Sequence, residues 1–147
     1  MIKLSFQKLN QENIHHLELI KELSKDEEIT RFLNIDLKNC FLVFEMENFI
    51  GLFNLCSGYF GNKENVAIKY AIQKDYRGKH YGSKLLNQIV KYAFKDPDIE
   101  YIYLDIDYQN ISSIKCAENN GFSKSLIDKD IYDDEGYGNH IPYKKGR

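Results

Sequence analysis

The sequence predicts a mixed α/β domain, and three observations carry that expectation. Strand-like segments alternate with helix-like ones in the second half of the chain, which demands crossover connections and a partly parallel sheet. Two adjacent strand-like segments in the first half add an antiparallel hairpin. The 147 residues are 43% hydrophobic and contain no internal repeat or Pro/Gly-rich linker, so residues 1–147 read as one domain with its own core.

Taken in order, residues 2–9 (IKLSFQKL) alternate at Ile2, Leu4 and Phe6 as a first strand. NQENIHHLELIKELSKDEE then sets Ile14, Leu17, Leu19 or Ile20, and Leu23 on one helical stripe. CFLVFEMENFIGLFNLCSGYF reads as strands over 41–45 and 49–57, joined by a tight Glu47-Asn48 turn. Residues 65–73 (NVAIKYAIQ) are apolar enough for the middle of a sheet. From 79 to 94, Leu85, Leu86, Ile89, Val90 and Ala93 recur at three- and four-residue steps opposite Lys84, Asn87, Gln88 and Lys91, the pattern of a helix with one buried face. Residues 100–107 (EYIYLDID) alternate as a strand. The helix NISSIKCAENN follows, with Asn110 as its N-cap and Gly121 just past its end. GFSKSLI and GYGNHIPYKK supply two final strands.

Composition removes several classes of function. A net charge of -2 gives no basic field for phosphate backbones, so a nucleic-acid partner is not expected. No apolar run approaches the roughly 18 residues of a membrane span, and MIKLSFQKLN lacks a leader's apolar stretch, so a cytoplasmic protein without membrane association is expected. Cys40, Cys56 and Cys116 are odd in number and widely spaced, which argues for reduced, mostly buried thiols. His15, His16 and His140 show no metal-ligand spacing. They read as surface or packing residues, and no metal is expected. The acidic run DKDIYDDEG reads as a solvated turn that also attracts cations over a distance.

The stretch Arg77-Gly78-Lys79-His80-Tyr81-Gly82 lies where the strand pattern gives way to the helix pattern. The first amides of a helix lack partners and carry the positive end of the dipole, glycines let an anion approach the backbone, and Arg77 and Lys79 add donors. A phosphate cradle and an ordinary turn with exposed cations both fit. The spacing matches neither a P-loop, G-x-x-x-x-G-K-[ST], nor the dinucleotide fingerprint G-x-G-x-x-G.

The stretch instead resembles the acetyl-coenzyme A signature of the GNAT N-acetyltransferase family, [Q/R]-x-x-G-x-[G/A], with His80 in place of the middle glycine. YAIQKDYRGKHYGSKLL resembles the family's strand, loop and helix start, and YIYLDIDYQNISSIKCAENNGF resembles its next strand, helix and closing G-F pair. SKDEEITRFLN and FLVFEMENFIGLFNL resemble the branch that acetylates ribosomal-protein N-termini and related amines. The resemblance implies a partly parallel sheet of about six to seven strands with flanking helices. It also implies coenzyme A binding where two parallel strands diverge. Tyr70, Ala71 and Ile72 fall where backbone groups meet the pantetheine arm, and Gly78, Lys79, His80, Tyr81, Gly82 and Ser83 fall where amides wrap the pyrophosphate. Asn110 falls on a pantetheine ligand, with Ser113 one helical turn further on.

Acetyl transfer to a primary amine needs a base for the ammonium and a proton for the departing thiolate. Asp105 and Asp107 share a strand face, and Asp105 matches a family glutamate base while being one methylene shorter, which implies action through water; Glu64 and Glu45 are alternatives. The family's acid, a tyrosine seven residues past the Asn110 position, is Ala117 here, leaving Tyr108, Tyr143 or solvent. Tyr59, Phe60, Tyr137 and Tyr143 border the acceptor side in similar proteins, although strands and cores are the commoner place for aromatics. The expected acceptor is a protein N-terminus, a polyamine or another small amine, and the resemblance makes a homodimer an option. The alternative is a non-catalytic module that senses acyl-coenzyme A.

Overall fold

The computed structural model describes residues 2–32, 34–129 and 138–147, without the side chains of Arg31 and Phe32. The acidic run from residue 130 onward, and Tyr137, lie outside the described residues. The element order is β1 (Ser5–Lys8), α1 (Ile14–Ser24), α2 (Glu27–Phe32), β2 (Cys40–Glu45), β3 (Asn48–Ser57), β4 (Asn65–Ile72), α3 (Tyr81–Ala93), β5 (Tyr101–Asp107), α4 (Ile111–Asn119), β6 (Ser123–Lys124) and β7 (His140–Gly146). The strands follow the order β1-β2-β3-β4-β5-β7-β6 in one sheet, as expected for a mixed α/β fold. Among the described residues β4 and β5 pair in parallel, which the helical crossover α3 between them permits.

The chain divides into two compact units, and β4 and α3 each contribute to both. The first comprises Met1–Leu55 and Lys69–Leu85. Its core joins Ile20 and Leu23 of α1 and Ile29 of α2 to Cys40, Leu42, Phe49 and Leu52 of the hairpin and Ala71 of β4. Burial pushes the Cys40 thiol up to about 11, so it behaves as a small apolar side chain. The helical stripe departs from expectation: Ile14 and Leu17 are exposed, and Leu19, Ile20 and Leu23 carry the packing. The seam is narrower because α1 meets the core only with its last two turns. The hairpin turn also shifts by one residue. Glu45 pairs with Asn48, leaving Met46-Glu47 as the two-residue turn, since the register slips between Val43 and Phe44 at a bulge that alternation does not reveal.

The second unit comprises Cys56–Ile68 and Leu86–Arg147. Leu86, Ile89, Val90 and Ala93 of α3 are buried as the periodicity requires, as are Ile102, Leu104 and Ile106 on one face of β5. Burying each such leucine or isoleucine contributes about 2 kcal/mol. β7 pairs with all of β5, from Tyr101↔Gly146 to Asp107↔His140. The Arg147 guanidinium donates to the carbonyls of Phe94, Asp96 and Ile99, which closes the end of α3.

Candidate active site

In the first unit, β4 delivers the chain to the loop at Gly78. A Cβ placed on Gly51 of β3 would meet the Ala71 carbonyl oxygen at 2.0 Å, so only glycine admits this approach. Gln73 reinforces it: its N–H donates to Ile50 O at 2.8 Å and its side-chain amide to Phe49 O at 2.9 Å. The parallel β4–β5 register runs from Asn65↔Tyr101 to Ile68↔Leu104, and the Ile72 carbonyl beyond it accepts from Arg77 Nε.

The Arg77 side chain bonds within its own unit. Its Nε donates to Ile72 O at 3.0 Å, and its two terminal nitrogens donate to Asp26 Oδ2 at 2.7 Å and Glu28 Oε2 at 2.8 Å. The other Asp26 oxygen accepts from Glu28 N–H at 3.0 Å, while Asp26 O accepts from Thr30 N–H. One carboxylate therefore caps α2 and anchors the loop cation. Arg77, Asp26 and Glu28 line a cleft of about 550 Å³ together with Gln73 and Lys74.

Helix α3 begins at Tyr81 rather than at Lys79, and its first i−4 bond runs from Lys84 N–H to the carbonyl of His80. The helix starts late because Gly78 and His80 are both left-handed, with φ of 72° and 70°. That alternation turns the chain sharply before the helix, and the first-turn amides of Tyr81 and Gly82 have no helical acceptor. Gly78, Lys79 and His80 are exposed, and a Cβ on Gly78 would meet nothing within 4 Å, so the space beside the loop is open. The Tyr81 phenol is committed: it donates to Glu45 Oε1 at 2.6 Å, and that carboxylate pushes its pKa upward. Glu45 is thereby engaged as an acceptor.

In the second unit, Asn110 caps α4 with Oδ1, accepting from Ser113 N–H at 3.3 Å and Ser112 Oγ at 3.2 Å. Among the described residues its Nδ2 has no partner, so capping leaves a donor available. Asp105 and Asp107 do share a face of β5. Asp107 Oδ1 accepts from Gln109 N–H at 2.9 Å in a local turn, whereas Asp105 Oδ1 meets His140 Nδ1 at 2.8 Å. His140 is therefore no mere surface residue, contrary to the expectation from spacing. Its partner lies 35 positions away, brought close only by the β5–β7 register.

The acid candidates separate. Tyr108 is exposed. Tyr143 is 1% exposed, its hydroxyl has no partner among the described residues, and burial, with Glu118, pushes its pKa up. In register, Tyr143 opposes Leu104 and Asp105 opposes Pro142, so Tyr143 and Asp105 point to opposite faces. Glu64 precedes β4 at the level of Glu100, five strand residues or roughly 16 Å from Asp105. Tyr59, Phe60 and Tyr103 cluster with ring centroids 4.4 to 5.3 Å apart on the Asp105 face, and Lys144 lies 5.6 Å from the Tyr103 ring.

A turn of two left-handed residues thus feeds a helix N-terminus after the strand β4. A profile described as acetyltransferase (GNAT) domain matches residues 4–141, and the chain belongs to that family. The acetyltransferase PseH of Campylobacter jejuni (strain 81-176) is 27% identical over 117 residues, covering 80% of this chain and 66% of that protein, slightly under two thirds of its length. Aminoglycoside acetyltransferase AAC(6')-Ib in complex with coenzyme A shares the fold with a TM-score of 0.78 at 14% identity, over 99% of this chain and 95% of the other. Spermidine N-acetyltransferase from Vibrio cholerae, in complex with coenzyme A and spermine, does so with a TM-score of 0.75 at 17% identity, over 97% and 95%. These neighbours act on an aminoglycoside and on spermidine by their names, and they give no support to the ribosomal-protein branch.

Proposed function

We propose that this chain transfers the acetyl group of acetyl-coenzyme A to a primary amine by direct attack. The observation that carries the reading is the Gly78–His80 turn at the start of α3: open, glycine-bearing, and presenting the amides of Tyr81 and Gly82 with the helix dipole behind them. Backbone donors at a helix N-terminus suit a pyrophosphate. Lys79 adds a cation, and Arg77 acts by fixing the loop to Asp26 and Ile72. The backbone of Tyr70, Ala71 and Ile72 in the same unit is the expected contact for the pantetheine arm. Bound there, acetyl-coenzyme A supplies the activated thioester carbonyl.

On the acceptor side, Asp105 and Asp107 give a carboxylate-bearing strand face for an ammonium group. Ala117 is fully buried and offers no acid, and Tyr143 points away, so exposed Tyr108 or solvent protonates the thiolate. The acceptor is a polyamine, an aminoglycoside-like amine or a peptide N-terminus.

An acceptor screen tests this, with free thiol measured after mixing acetyl-coenzyme A with polyamines, aminoglycosides and a peptide bearing a free N-terminus. Amine-dependent thiol release is expected with at least one class. Stabilisation by coenzyme A without transfer to any of them would favour the sensor reading, and no stabilisation at all would remove the cofactor. At a hundredfold excess over the dissociation constant, binding raises stability by about 2.7 kcal/mol.

His80→Gly probes the cradle. A left-handed non-glycine residue costs about 1 kcal/mol or more, although histidine visits this region more readily than most. The variant is expected to bind coenzyme A equally or more tightly, because the amide stays in place. A tenfold loss in an equilibrium titration would show that the imidazole itself holds phosphate.

A further inference from the structure

We infer that His140 is the base that deprotonates the acceptor amine, and that Asp105 is the residue that positions it; this rests on the acetyl-transfer reading above. The two side chains meet at 2.8 Å, Nδ1 to Oδ1. An ionised carboxylate only accepts, so the ring must present Nδ1–H to Asp105, and this tautomer leaves the Nε2 lone pair available. No described residue hydrogen-bonds Nε2, and the imidazole is 33% exposed, open to a substrate yet held on one side.

The backbone makes this arrangement rigid. β5 and β7 pair without a bulge over seven residue pairs, placing His140 opposite Asp107 and one step from Asp105, all on one face. The charged and titratable groups around it among the described residues are Asp105 and Asp107 of β5, Lys144 further along β7, Tyr103 with Asp128, and Lys129, whose Nζ donates to Gly138 O.

The proton balance is simple. Nε2 takes one proton from the R–NH3⁺ acceptor, and the freed nitrogen lone pair forms the C–N bond as the C–S bond breaks. The thiolate takes a proton from Tyr108 or solvent, which is replaced by the second nitrogen proton, and His140 returns its own to solvent. The products are the acetamide, coenzyme A thiol and one proton.

Substitution by asparagine separates catalysis from structure, because the Asn amide can occupy the Nδ1 position and donate to Asp105 but cannot act as a base. His140→Asn is expected to lower kcat at least tenfold with the amine found in the acceptor screen. It should leave KM for acetyl-coenzyme A and the melting temperature with coenzyme A unchanged, and it should flatten the fall of kcat toward acid pH. Asp105→Asn should also lose at least tenfold. Wild-type kcat and pH dependence in His140→Asn overturn the assignment, and if Asp105→Asn alone is slow, the carboxylate is the base. Wild-type protein that is stabilised by coenzyme A but acetylates no amine overturns the transfer reading instead, and the base assignment with it.

Discussion

Gly51→Ala is expected to destabilise the protein by about 3 kcal/mol, the upper range for overpacking, and to lower its melting temperature by roughly 10 °C. The new methyl would lie 2.0 Å from Ala71 O, 3.0 Å from Ala71 C and 3.1 Å from the Ile72 Cα, all backbone atoms with no side chain to swing aside. β3 and β4 must part, breaking the Gln73 to Ile50 hydrogen bond that leads into the loop. Coenzyme A affinity should fall too, since Tyr70, Ala71 and Ile72 shift with the strand. Chemical denaturation gives the stability and a binding titration the affinity. A change under 0.5 kcal/mol would mean that β3 and β4 have slack here.

Arg77→Gln is expected to cost about 2 kcal/mol, the scale for losing charge-assisted hydrogen bonds at a partly buried site. Most of the loss comes from Asp26 and the Ile72 carbonyl, because Glu28 is well exposed and its pair contributes little. The pH dependence identifies the mechanism. Burial pushes the Asp26 carboxyl up, but the Arg77 hydrogen bond and the N–H groups of Glu28 and Ile29 outweigh it and hold the pKa below its usual range. A carboxyl depressed in the folded state stabilises above its unfolded pKa of about 4. That stabilisation disappears as pH falls through the lower folded value. The gap between wild type and Arg77→Gln should therefore be widest near neutral pH and narrow as pH falls below about 4, to the part owed to the Ile72 carbonyl. A gap independent of pH would assign the loss to packing of the Arg77 stem. Arg77→Lys is not expected to restore it, since an ammonium cannot span three acceptors with a planar fork.

The helices and strands with one buried face were readable in the sequence because burial imposes a period. Leu85 to Ala93 shows it on α3, and Ile102, Leu104 and Ile106 show it on β5. Asn110 and Gly121 were readable as punctuation of α4, and the structure bears out both the side-chain cap and the left-handed glycine. α1 was misread at Ile14 and Leu17 because an apolar residue can point to solvent at modest cost, and periodicity does not say where a helix leaves the core. The Met46-Glu47 turn was displaced by a bulge, which adds a residue to one strand and leaves no mark in an alternating pattern.

By itself the sequence determined the mixed fold, the order of its elements and the placement of RGKHYG between a central strand and a helix, since each follows from local periodicity and backbone preference. Only the tertiary structure decided what long-range pairing controls. Arg77 spends its guanidinium on Asp26, 51 residues away, and Gly51 is glycine because Ala71 passes beside it. His140, unremarkable as a letter near the end of the chain, faces Asp105 because seven paired residues set the β5–β7 register. Side chains that meet through a strand ladder leave no spacing to read, so the contact between His140 and Asp105 has no signature in the sequence.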